Sequence, residues 1–218
     1  MGQKINPNVL RLGTLHTWNS RWFDSGKRYK DILLEDFMLR KLLMDRLKTA
    51  GVSRVEIERS INSLKLIIFV SRPGMVIGRA GTGLDDLKKL LFQTLAAQKG
   101  KKNTPKLDIR VEPVKEPNLD AYLVGKNISE QLGRRLPYKK ILAHTAEKVM
   151  TSGAKGVRIV LTGRIGGAEI GRREKIQKGT VPLSTIRENV TFASTPSLTK
   201  KGYIGVKVWI NKVDRETQ

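Results

Sequence analysis

The residues best suited to chemistry in this chain are Gly78, Arg79 and Gly81, and the chemistry they suit is holding a phosphodiester backbone. Glycine lacks the Cβ that would keep a sugar–phosphate chain at a distance, and amides that open a following helix face outward as donors. Arg79 adds a permanent charge, and apolar Val76 and Ile77 lead into the loop. Two other phosphate-binding patterns fail on particular residues. A nucleoside-triphosphate loop ends in Gly-Lys-Ser/Thr, whereas Gly83 is followed by Leu84. Gly81-Thr82-Gly83 has no further glycine at the distance that a dinucleotide fingerprint needs.

Patterns for catalysis are missing. His16 and His144 are the two histidines, each isolated in the sequence, and there is no cysteine, so disulfides, thiolate-bound zinc and thiol nucleophiles are excluded. Asp85-Asp86 falls in the first turn of an expected helix, where carboxylates complement the helix dipole and adjacent side chains diverge. The chain is therefore expected to be no enzyme, with no cofactor, metal or small-molecule substrate. No apolar run approaches the roughly 18 residues of a membrane span. The opening residues do not read as a signal peptide, so a cytoplasmic location is expected.

Charge names the class of partner. Lys and Arg total 42 against 20 Asp and Glu, a net +22 in 218 residues. The excess is spread along the whole chain and is not gathered in one tail. Such a chain repels itself unless a polyanion neutralises it, and nucleic acid touched on several sides fits that need.

The elements that must position these residues follow from periodicity. Residues 1–30 are rich in turn formers and carry Lys4, Arg11 and Trp22, an irregular basic arm of the kind that orders against RNA. A helix is expected over Asp31–Ala50, where Leu39, Leu43 and Leu47 recur every fourth residue. Two strands follow, one around Val55 and Ile57 and one apolar over Leu64–Val70, which suggests a central position. A short helix, the Gly78–Gly81 loop, a helix with Leu84, Leu87, Leu91 and Leu95 on one stripe, a basic loop with Lys101 and Lys102, and a strand over Leu107–Val111 complete the set. Many turns contain a GxxG by chance. Placed in this order of elements, it reads as the loop of a type II KH domain over residues 31–115.

Pro113–Pro117 marks a boundary, and residues 116–218 read as a second, α/β domain. Ala121, Val124, Ile128 and Leu132 form a helical stripe ending at Arg134-Arg135, and a second helix starts near Pro137 and runs to Gly153. Strands are expected at Val157–Leu161, Ala168–Ile176, Val190–Ala193 and Ile204–Ile210. The fold class is α+β, with two helices packed on a mixed or antiparallel sheet in this domain.

Several spaced strings are similar to one family. Gly2-Gln3-Lys4, Asn6-Pro7, Arg11-Leu12-Gly13 and Trp18-Asn19-Ser20 open the chain. Ser53–Arg59 and Arg72–Gly78 stand in the first domain, and Gly163–Ile170, Val181-Pro182-Leu183 and Gly205–Ile210 in the second. Together they resemble the bacterial small-subunit ribosomal protein S-three family over nearly the whole length. The resemblance implies a structural component of the small-subunit head that binds rRNA, contacts neighbouring proteins S-ten and S-fourteen, and borders mRNA at the entry channel. It also implies that Arg134, Arg135, Lys139 and Lys140 help to unwind structured mRNA. The chain departs from the family in having one basic residue in the GxxG loop, lysines at 139 and 140 where arginine is common, and a neutral Ala143. The expected RNA contacts are Lys4, Arg11, Trp22, Arg72, Gly78, Arg79, Gly81, Arg134, Arg135, Lys139, Lys140 and Arg164. A free KH-type regulator would have no reason to carry the second-domain strings. A nucleic-acid enzyme would need clustered carboxylates or an activated lysine, and nothing in the sequence points to one.

Overall fold

The computed structural model describes residues 4–60, 62–99 and 106–213, and the chain divides into two compact units, Trp18–Lys115 and Met1–Thr17 with Glu116–Gln218. In chain order the elements are α1 (Pro7–Leu10), β1 (Ser20–Arg21), α2 (Lys27–Arg46), β2 (Val52–Arg59), β3 (Ser63–Val70), α3 (Pro73–Ile77) and α4 (Thr82–Lys99). β4 (Lys106–Pro113), α5 (Ala121–Gly133), α6 (Tyr138–Thr151), β5 (Ala154–Gly163), β6 (Arg172–Gly179), β7 (Val190–Thr199) and β8 (Gly202–Lys212) follow.

In the unit Trp18–Lys115 the helical stripes do what their spacing predicts. Leu39, Leu43 and Leu47 of α2 and Leu87, Leu91 and Leu95 of α4 are buried with Val55, Ile57, Leu64, Leu66 and Ile68 of the sheet. The strand order is β1-β2-β3-β4, with β2 antiparallel to β3 and β4 parallel to it. That is the expected KH order, with apolar β3 inside the sheet. α2 begins at Lys27, four residues earlier than its apolar period suggests, because Arg28, Tyr29 and Lys30 are exposed and show no period. The loop of Lys101 and Lys102 lies outside the described residues.

β1 was not foreseen. Ser20 and Arg21 pair in parallel with Ile57 and Glu58, and Asp36 holds the segment by accepting bonds from Ser20 Oγ (3.1 Å) and Trp22 Nε1 (2.8 Å). Asp36 is 1% exposed, and its charge is met by Arg59, which also bonds Glu35 at 2.9 Å. The residues expected to form one arm, 1–30, are thus shared: those up to 17 belong with one unit and those from 18 with the other.

The other unit is built on an antiparallel sheet of order β6-β5-β8-β7, which decides between the mixed and antiparallel alternatives. α5 packs over β7 and β8, and α6 over β5 and β6. Val124, Ile128, Leu142 and Val149 meet Val157, Ile159, Val206 and Val208 in the core. Asp120 starts α5 by accepting the amides of Tyr122 and Leu123, an ordinary N-cap. β6 lies further along than Ala168–Ile176, because Ile165 turns into the core and Ile170 is 83% exposed. β7 is ten residues long, against an expected four, and contains Pro196. It is an edge strand, the place where a missing N–H costs the ladder nothing.

Candidate nucleic-acid interface

The GxxG loop links α3 to α4 through a single turn at Arg79–Gly81. Gly78 and Gly81 take φ of +71° and +82°, a region that other residues enter at a cost. A Cβ on Gly83 would stand 2.5 Å from the carbonyl oxygen of Val76, so α3 and α4 close on each other only because residue 83 is glycine. Arg72, Gly78 and Arg79 are exposed, Met75 and Ile77 are 54% and 38% exposed, and Val76 is buried beneath. The result is a loop that presents main-chain atoms, one guanidinium and some apolar surface to a ligand.

A second basic site forms where α5 ends. Leu136 N–H donates to Gln131 O (3.3 Å) and Arg135 N–H to Leu132 O (2.9 Å), the two bonds of a Schellman cap. The left-handed residue of that cap is ordinarily glycine, but here it is Arg135, at φ +62°. Among the described residues it is the one non-glycine with positive φ. Pro137 then caps α6, and Arg134, Arg135, Lys139 and Lys140 all stand exposed around this corner. Arg135 and Arg164 share a cleft beside it with Lys200 and Lys201 of the β7–β8 turn. Arg172 lies 5.7 Å above the ring of Tyr138, which also lines the cleft. Among the described residues no group of three or more His, Asp or Glu side chains could hold a metal ion, and no helix is long and apolar enough to cross a membrane.

The comparisons with known proteins decide what carries these two sites. Residues 38–119 match the KH domain model, and residues 128–210 match the model described as ribosomal protein S3, C-terminal domain. The chain is 43% identical over 212 residues to small ribosomal subunit protein uS3 of Desulfosudis oleivorans, covering 97% of this chain and 95% of that protein. The protein of the same name from Caldicellulosiruptor saccharolyticus is 41% identical over 214 residues, covering 98% and 93%. That from Legionella pneumophila is 41% identical over 212 residues, covering 97% and 93%. The chain belongs to the ribosomal protein S3 family. Members of this family are structural proteins, and this chain is not an enzyme.

Within this S3-family chain not every expected RNA contact is available to RNA. Arg11 is fully buried. Its guanidinium donates to the main-chain oxygens of Glu188 (2.7 Å), Thr185 (2.8 Å), Pro7 (3.1 Å), Pro182 (3.3 Å) and Leu183 (3.3 Å). The two strings Arg11-Leu12-Gly13 and Val181-Pro182-Leu183 therefore belong to one structural joint, in which the Arg11 guanidinium is committed to main-chain oxygens. Burial lowers its pKa below the usual arginine range, opposed by the charge of Glu188. Asn8 completes the joint with a bond in each direction to the main chain of Phe192, both 2.9 Å, along the edge strand β7. Trp22 is half-buried against Tyr29, with ring centroids 5.3 Å apart, and its indole N–H is committed to Asp36. Phe23 beside it is 94% exposed. Lys4 is exposed. Lys200, Lys201, Tyr138 and Arg172 were missed as site residues, and the adjacent lysines before Gly202 were the signal available for them.

Proposed function

We propose that this chain is a structural component of the small ribosomal subunit, acting in the cytoplasm, that binds small-subunit rRNA in the head and lines the channel by which mRNA enters. The observation that carries the reading is likeness along 97% of the chain to small-subunit proteins. The finer assignment is supported by the two basic sites. The GxxG loop offers backbone and charge to an RNA strand. The corner at Arg134, Arg135, Lys139 and Lys140 offers a track of cations that needs no nucleotide hydrolysis to hold one strand while a duplex opens ahead of it. Proteins S-ten and S-fourteen are the proposed neighbours. Leu33, Leu34 and Phe37 of α2, each close to half exposed or more, supply apolar surface that suits a protein and not a phosphate.

The test of the placement and of the track is one system: translation by ribosomes carrying Lys139→Ala with Lys140→Ala. The variant chain should sediment with the small subunit and slow translation of a message with a stable hairpin, leaving an unstructured message unchanged. Equal rates on both messages would make these lysines ordinary surface charge, and a chain absent from the small-subunit peak would remove the ribosomal reading.

A further inference from the structure

The cleft beside the α5–α6 corner has a volume of about 390 Å³, in the range of small-molecule sites and at its lower end. Its lining is of two kinds. Leu132, Leu136, Pro137 and Ile204 are apolar, whereas Arg135, Arg164, Lys200 and Lys201 bring four positive charges, and none of the lining residues is acidic. The stem of Lys201 passes Gly167, its Cδ 3.7 Å from where a Cβ would stand, so it runs along the cleft wall.

Four cations round one small cleft repel one another unless an anion sits among them. A bare inorganic anion would leave the apolar lining wet. An occupant with an anionic edge and a flat, largely apolar body satisfies both parts, and a nucleotide has that build. In a duplex the base is stacked and out of reach; in a single strand it can turn into a pocket and stack on an aromatic ring. Arg135 adds an independent observation. It keeps a strained φ at a position where glycine is the ordinary residue, and strain of this kind persists where a side chain is needed.

We propose that this cleft receives one unstacked nucleotide of a single-stranded RNA, its base against Leu136, Pro137 and Tyr138 and its flanking phosphates on Arg135, Arg164, Lys200 and Lys201. The proposal rests on the reading that this corner meets single-stranded mRNA, and it adds Lys200, Lys201 and Tyr138 to the site.

The experiment uses the full chain and three probes of equal length: a ten-nucleotide single-stranded RNA carrying 4-thiouridine, the same RNA in a duplex, and an abasic ribose-phosphate chain. Photocrosslinks from the single strand should map to the peptide holding Leu136–Tyr138 and disappear in Lys200→Ala with Lys201→Ala. The same double variant should lower the slope of log affinity against log salt by about 1.4, the loss of two single-strand phosphate contacts. The abasic chain should bind at least about fivefold more weakly than the single strand, because stacking a base contributes on that scale. Both lysines are exposed in a turn, so the fold should survive the change. Abasic and natural strands of equal affinity would overturn the base pocket and leave a charge patch. Displacement of the RNA by polyglutamate of matched charge at equal concentration would overturn it too, in favour of an acidic protein segment. If the wild-type chain crosslinks to the single strand elsewhere only, the cleft assignment fails while RNA binding stands; if it binds no single strand at all, both readings fail.

Discussion

Replacing Arg135 by glycine should stabilise the C-terminal unit and weaken its hold on RNA in the same molecule. The left-handed conformation costs an L-residue about 1–2 kcal/mol, and Arg135 holds it at φ +62°. Glycine removes that cost but gives back about 0.5–1 kcal/mol through its freer unfolded chain. Taken at the middle of these ranges, the net gain is about 0.75 kcal/mol, since the two cap bonds to Gln131 and Leu132 use only main-chain atoms and survive the change. Amide hydrogen exchange in Val157–Leu161, the centre of the sheet, reports global opening of this unit and should slow about two- to fivefold. The same variant gives up one phosphate contact, so its salt slope for single-stranded RNA should fall by about 0.7. Arg135→Ala separates the effects: it loses the charge but keeps the strain, so RNA binding should weaken with no gain in protection. Unchanged or faster exchange in Arg135→Gly would refute the reasoning, because the conformation would then cost nothing and would say nothing about function.

Arg11→Ala should destabilise the C-terminal unit by roughly 3 kcal/mol, because the buried bond to Pro7 and four partly buried main-chain bonds lose their charged donor together. A loss below about 1 kcal/mol in urea unfolding would mean water replaces the guanidinium and the joint is not structural. Glu147 has a pKa lowered from 4.5 by the hydrogen bond from Lys178, at 2.9 Å, and by its charge. A lowered folded pKa stabilises the fold above about pH 4.5, and that contribution is lost as pH falls through the folded value. Glu147→Gln should therefore flatten the stability curve below pH 4.5 and leave its shape between pH 6 and 8 alone; an identical acid limb in the variant would contradict the pairing.

Local pattern carried much of this protein. Leucines spaced by four on α2 and α4 could bury themselves only as helices, and the apolar run of β3 only as an inner strand, because periodicity and burial are properties of neighbouring residues. The GxxG gained its meaning from the elements around it, and those too are local. Tertiary structure decided what depends on distant partners. Arg11 read as one more cation for RNA, but the oxygens that enclose it lie 171 to 177 residues away at 182, 183, 185 and 188, and its first-turn partner Pro7 alone gave no hint of them. The sequence pattern supported a strand only over Val190–Ala193; the sheet order, which puts β7 at an edge, lets that strand run on through Pro196 to Thr199. The cleft was beyond local reading for the same reason. Arg135, Arg164 and the Lys200-Lys201 pair come from three separate turns, and it is the closure of β5 against β8, with α5 laid across β7, that brings their charges to one place.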